Sequence, residues 1–156
     1  MPLKFHPKTG TIVICDYNTG FSPPEMVKRR PAIVVSPQFK RRNGLCTIVP
    51  FSTTPPDPIM PYHYLLALNP TLPPPYNRSQ QWGKGNMLAT VSFKRLSLPH
   101  SGKGTDGKRQ YIMMVIKGKE FKDIQRCILN AIGLNYLTQH LDSPKFSKPI
   151  KIICIE

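Results

Sequence analysis

The chain has 156 residues, enough for one domain with a genuine core and too few for two comfortable ones. Its 22 Lys plus Arg against 8 Asp plus Glu leave a formal net charge of +14, which favours a polyanionic partner bound with release of counterions. So few carboxylates disfavour a two-metal nuclease, and no stretch approaches the roughly 20 apolar residues of a membrane-spanning helix.

The N-terminal Met-Pro-Leu-Lys-Phe-His-Pro-Lys lacks the apolar core of a signal peptide, so the cytoplasm is the expected compartment. Residues 11–16 read as a buried strand opening after Gly10, and 17–28, with Gly20, Pro23 and Pro24, as a loop. A second strand is predicted over 31–36, a hairpin turn at Arg41-Arg42-Asn43-Gly44, and a third strand over 45–52. Strands this close together point to a small barrel or a curled antiparallel sheet. Prolines then crowd the stretch from Pro55 to Gly85, with one candidate strand at 63–68. A proline-rich excursion of that length inside a compact domain is usually functional or mobile.

A strand is predicted at Met87–Ser92, followed by the basic pair Lys94-Arg95 and a turn-rich segment. Gly102–Lys108 has the glycine spacing of a phosphate-binding loop, but Arg109 stands where Ser or Thr would hold magnesium, and a strand follows where a helix should. It reads as a basic hairpin turn. Residues 111–116 form a continuous apolar run, predicted as a fully buried strand. Phe121, Ile124, Ile128, Ala131 and Ile132 recur at helical spacing over 119–132, closed by Gly133. A short second helix is expected over 135–141, and a last strand over 148–155, at an edge or a subunit contact.

Cys15, Cys46, Cys127 and Cys154 are scattered, with no CxxC pair, and read as reduced, buried hydrophobes. His6, His63, His100 and His140 show no metal-ligand spacing, so neither a metal nor another cofactor is expected.

Lys28-Arg29-Arg30-Pro31-Ala32-Ile33-Val34-Val35 delivers cations straight onto a strand. Pro31 pushes Arg30 into an extended conformation at the strand's lip, and a guanidinium held there can grip a phosphate with two parallel bonds. The same run also reads as a solvated charge cluster before an ordinary core strand. Counting outward from a turn at 41–44 brings residues near 30 and 52 to the same end of a hairpin, setting Arg30 beside Ser52-Thr53-Thr54. Tyr62, Tyr64, Tyr76 and Trp82, interleaved with Arg78 and Lys84, either stack on unpaired bases or pin the proline-rich loop to the body.

At these residues the chain resembles a known family. Gly10–Asp16, Glu25, Lys28–Ser36 and Val49-Pro50-Phe51-Ser52-Thr53 are similar to the MazF/PemK toxins, as are the later Leu88–Ser92, Lys94-Arg95-Leu96 and the C-terminal helix. The likeness is good over 8–54 and looser over 85–134. It implies one domain over 1–156, mainly β with a C-terminal helix, built on an SH3-like antiparallel barrel. The 55–84 insertion, the 100–116 hairpin and the 140–156 tail fall outside compact members. It further implies a homodimeric, metal-independent endoribonuclease that cleaves single-stranded RNA, and an acidic, partly disordered antitoxin protein as partner.

Carried over by position, Arg30 matches the catalytic arginine, Ser52 the catalytic threonine, Thr53 the adjacent hydroxyl and Glu25 a loop acid near the substrate. Some members use an acid after the Leu88-Ala89 position, where this chain has Thr90, Val91 and Ser92. Metal-free cleavage needs a base for the 2′-OH, cationic donors for the phosphorane and a proton for the leaving oxygen. Arg30 suits the second role, and Ser52 and Thr53 orient the non-bridging oxygens. Glu25 is the first candidate base and His63 the second, the latter also readable as a plain loop histidine. Lys28, Arg29, Tyr62, Arg78, Trp82, Lys84, Lys94 and Arg95 are the expected RNA contacts. The competing reading is a non-catalytic nucleic-acid-binding module on the same barrel.

Overall fold

The computed structural model describes residues 1–142, so the strand expected over 148–155 and Cys154 lie outside the described residues. Nine strands occur among the described residues: β1 (Ile12–Asp16), β2 (Arg29–Val34), β3 (Leu45–Ser52), β4 (His63–Ala67), β5 (Gln80–Lys84), β6 (Ala89–Ser92), β7 (Leu96–Ser97), β8 (His100–Lys103) and β9 (Arg109–Tyr111). One α-helix follows, α1 (Gly118–Ala131), with short 3-10 turns at Gly85–Met87, Phe93–Arg95 and Asn135–His140.

The main sheet is antiparallel throughout, in the order β4-β5-β3-β2-β1-β7, with β6 also paired to β3. Period-2 alternation along β1–β3 sends side chains to two cores. Val13, Cys15, Ala32, Val34, Cys46 and Ile48 face a cluster closed by Val91, Phe93 and Leu96. Ile12, Ile33, Val49 and Phe51 face the other way, toward Leu66, Leu68, Leu72 and Ile124 of α1. Both faces of the central strands are therefore buried, which is why their sequences run apolar almost without a break.

The expected SH3-like closure is only partly realised. No hydrogen-bonded ladder among the described residues joins the two ends of the sheet. The first core is wrapped through the chain itself: β6 pairs with β3, β7 pairs with β1, and the single turn Phe93–Arg95 spans between them.

Several boundaries differ from the sequence reading. β2 begins at Arg29 rather than at residue 31, so both arginines lie inside the strand, opposite Asp16 and Cys15. The link from β2 to β3 takes all of 35–44, longer than a turn confined to 41–44, although Val35 still donates to Thr47 at 2.9 Å. The stretch 111–116 is not a buried strand. β7 occupies the edge of β1 at Ile14 and Cys15, leaving that stretch only a bridge from Val115 to Thr11, and Met113 stays 58% exposed. Gln80–Lys84, read as proline-rich excursion, is a strand inserted between β3 and β4. The basic turn near 104–107 closes the β8–β9 hairpin as expected, and α1 covers 118–131 against the predicted 119–132.

Two glycines allow close crossings. Gly10, at φ 89°, accepts from Ile116 and donates to Val34, and a Cβ there would run into the Ile116 carbonyl. At Gly85 a Cβ would lie 2.8 Å from the backbone of Cys127, so this glycine sets how closely α1 meets the sheet. Gly10→Ala should therefore cost about 1–3 kcal/mol, roughly 3–10 °C in melting temperature. Gly107→Ala, at a similar φ of 74° but with open space around the new Cβ, should lose clearly less. Thermal unfolding of the two variants checks this, and equal losses would remove the steric argument.

Candidate functional site

The β2–β3 ladder stops early. Its pairs run from Val34–Ile48 through Ile33–Val49 to Ala32–Pro50. Pro31, next in line on β2, falls where its N–H would face β3, as that of Val35 does, and it has none to give, so the ladder ends there. β3 then changes partner: Phe51 pairs with Gly83 and Ser52 with Trp82. Continued by two residues, the β2–β3 register sets Arg30 abreast of Ser52, on the face that carries Ala32 and Ile48. A polar fork thus opens at one end of the first core.

Arg30 is half-buried, and its Nε donates to the Val27 carbonyl at 2.9 Å. It forms no ion pair with a described carboxylate, since all such pairs are made by Asp123 or Asp142 around α1. Ser52 is buried, and its Oγ accepts from the Thr54 amide at 3.2 Å, which tightens the turn after the strand. Thr53 is exposed beside it.

The loop 17–28 covers the same end. Met26 enters the first core, Lys28 stands at φ 70°, and the Lys28 carbonyl accepts from Tyr17 at 3.1 Å. Glu25 is exposed, with its Oε2 accepting from the Ser22 amide at 2.8 Å. Buried Tyr17 has its phenol pKa raised mainly by burial, with the nearby Arg30 charge pulling the other way. Burial likewise pushes the neighbouring Cys15 thiol up to about 12, so it is no nucleophile at neutral pH. Arg95 serves this loop: it donates to the carbonyls of Asp16 at 3.1 Å and Thr19 at 2.7 Å and sits 5.1 Å over the Phe21 ring. Its guanidinium is a clasp. Lys94 beside it is exposed.

On the other flank, β4 and β5 send Tyr64, Leu66, Gln81 and Gly83 toward the second core, and alternation leaves His63, Leu65, Gln80, Trp82 and Lys84 on the opposite face. Ser52, Trp82 and Leu65 form one cross-strand row on that face. His63 stands opposite Lys84, one row further along, with its ring 4.6 Å edge-on to Tyr62 and Nδ1 accepting from the Met60 amide at 3.0 Å. Two strand spacings and two residues put its Cα roughly 12 Å from that of Ser52. His63 therefore joins the aromatic flank, whereas Arg30, Ser52 and Thr53 gather at the fork.

Thr53, Pro55, Arg78, Ser79, Gln80 and Trp82 line a cleft of about 360 Å³ next to Ser52. The sequence reading picked out Thr53, Arg78 and Trp82 but not Ser79 or Gln80, because their strand and turn were not recognised. Arg29 faces elsewhere, lining a hollow with Pro73–Tyr76 and His100. Among the described residues no three His, Cys, Asp or Glu side chains stand together as metal ligands.

A family model described as the PemK-like, MazF-like toxin of type II toxin–antitoxin systems matches residues 8–131. An uncharacterized protein of Haemophilus influenzae is 31% identical over 150 residues, spanning 88% of this chain and 98% of the relative. Among solved structures, MazF from Deinococcus radiodurans superposes with a TM-score of 0.54 at 16% identity, covering 83% of this chain and 98% of that one. A mycobacterial endoribonuclease solved in complex with its cognate antitoxin gives 0.52 at 16% identity, covering 83% and 97%.

Burial, and then the Lys84 charge, lowers the His63 pKa below the ordinary imidazole value of 6.5. The unfolded chain therefore takes up this proton first, and His63 subtracts stability as pH falls through 6.5 toward the lowered value. An NMR titration should find the midpoint below 6.5, and Lys84→Gln should raise it without fully restoring it, because burial is the larger cause. An unmoved midpoint in that variant would remove Lys84 from the account.

Proposed function

The chain belongs to the PemK-like, MazF-like toxins of type II toxin–antitoxin systems, and from that premise we propose that it is an endoribonuclease cutting single-stranded RNA without a metal ion. The observation that carries this reading is the fork, where a half-buried arginine with no described carboxylate partner stands level with the Ser52 and Thr53 hydroxyls. The formal charge of +14 supplies the long-range attraction for the polyanion. In this reading the curled half of the sheet acts as an SH3-like barrel whose open end is the reaction site.

The substrate's own 2′-OH attacks the adjacent phosphorus, so no bound metal is required to generate the nucleophile. Glu25 takes the 2′-OH proton. Arg30, held by the Val27 carbonyl, donates to the non-bridging oxygens as charge builds on them, and Ser52 and Thr53 orient those oxygens. The P–O bond to the 5′-oxygen then breaks, leaving a 2′,3′-cyclic phosphate, and the departing oxygen takes its proton from solvent water. Glu25 is preferred over His63 because the loop that carries it also supplies the carbonyl gripping Arg30, whereas His63 lies roughly 12 Å from Ser52 along the sheet. Lys28, Arg78, Lys84 and Lys94 steer the strand by charge, and Tyr62 and Trp82 offer aromatic faces.

An acidic antitoxin protein is the proposed inhibitor, because a negative segment suits the same cationic surface. The proposed assembly is a homodimer working in the cytoplasm.

Thr90, where some relatives carry an acid, shares a 2.8 Å hydroxyl–hydroxyl bond with Thr47 and offers no base. That observation favours the second reading, a nucleic-acid-binding module without catalysis. Incubating the purified protein with a long single-stranded RNA in EDTA separates the two. Cleavage is expected, with Arg30→Ala about 10²–10³-fold slower. Salt-sensitive binding with intact RNA would establish the second reading, and equal cutting by the variant would remove Arg30 from the mechanism.

A further inference from the structure

The cleft beside Ser52 has the makings of a recognition pocket. Its volume of about 360 Å³ falls within the range of small-ligand sites, about 300–1,000 Å³. One wall is Trp82, half-buried yet part of neither buried cluster, so its indole is not used up in holding the fold together. Gln80 projects from the same strand on the same face and offers one donor and one acceptor group. Arg78 is the one charged residue in the lining.

The rim is held from behind. Gln81, only 1% exposed, donates from Nε2 to the Tyr76 carbonyl at 3.0 Å and the Arg78 carbonyl at 3.5 Å. Leu68 donates to the Ser79 carbonyl at 2.7 Å. These bonds fasten the turn bearing Arg78 and Ser79 to the sheet before any ligand arrives, which lowers the cost of binding.

Resting on the reading of the chain as an RNA-cleaving protein, we propose that this cleft is a subsite for one unpaired nucleobase beside the cut phosphate. Trp82 is the stacking platform, Gln80 reads the base edge and Arg78 takes the adjoining phosphate. A flat π-system with donors and acceptors along one edge matches an indole face flanked by an amide. An acidic peptide would find a single cation here. The Ser52–Trp82 pairing fixes the spacing, since a residue that orients the phosphate oxygens and the residue that stacks the base are neighbours across one strand gap. Gln81 is a positioning residue for the pocket.

Trp82 is the sole tryptophan of the chain, so its emission reports this cleft alone. The full-length protein is titrated with a short 2′-O-methyl oligonucleotide, which lacks the nucleophile and stays intact, and with a polyglutamate peptide of matched charge. Saturable quenching by the oligonucleotide and little by polyglutamate is expected. Trp82→Ala should weaken binding roughly five- to 150-fold, with Trp82→Phe recovering most of it, which separates stacking from misfolding. Gln80→Ala should flatten the base preference at one nucleotide beside the cut about two- to tenfold. Oligonucleotide binding with unmoved emission, or equal quenching by polyglutamate, would overturn the subsite. Quenching in a protein that cuts no RNA would overturn the nuclease reading and leave the subsite standing. Cutting with unmoved emission would do the reverse.

Discussion

One proline without an N–H, Pro31, determines where this sheet opens. On β2 it follows Ala32 at a position whose N–H would face β3, and beyond Ala32–Pro50 no pair joins the two strands. An uninterrupted ladder would have carried Arg30 and Ser52 into ordinary cross-strand contact, as a pair without mutual backbone bonds. Instead β3 is free to bend toward β5, and Ser52 becomes a Trp82 partner. The same defect builds the fork and delivers the aromatic flank to it. The strand's other half pairs with β6, and at Ile48 it is paired on both edges, so the bend occurs against a fixed base.

Charge is arranged to complement that opening. The four ion pairs among the described residues all involve Asp123 or Asp142, bridged by Arg126 and flanked by Lys119 and Lys122. Pairs at or near the surface contribute little to stability. Their larger effect is on distribution: carboxylates are spent near α1, and the arginine at the fork is left without one. Arg30 is consequently available to an anion from outside, and the one hydrogen bond described for its side chain, to the Val27 carbonyl, fixes direction without neutralising charge.

Much of the frame was legible in the sequence because it depends on local pattern. The apolar runs of β1, β2 and β3 and the helical spacing of α1 state their own structure, and counting outward from the turn before β3 was enough to bring Arg30 and Ser52 to one end. β5 was not legible. Gln80-Gln81-Trp82-Gly83-Lys84 has two amides, a glycine and prolines upstream, and it is a strand only because β3 and β4 offer edges on both sides. The cleft depends on β5, so it was hidden with it. The run at 111–116 failed in the opposite sense: its residues favour a strand, but β7 had taken most of the edge it needed. Arg95 shows a third limit, since composition marks a cation and only the fold reveals that two carbonyls and a phenyl ring already occupy it.

The three cations that introduce β2 are best understood through Lys28. It is the one non-glycine residue with positive φ among the described residues, at 70°. A lysine gains nothing from that conformation and is strained by about 1–3 kcal/mol relative to an ordinary backbone. The turn it makes is used twice: its own carbonyl receives the Tyr17 amide, and the preceding carbonyl of Val27 receives Arg30. A glycine would make the same turn without strain but would carry no charge. The strain is kept at the residue whose backbone sets the direction of the arginine. Arg29 diverges to the opposite face, toward Pro73–Tyr76 and His100, because strand alternation leaves it no other choice. One run of like charges is thereby resolved by the backbone into a strained turn, an outlying cation and the arginine level with Ser52.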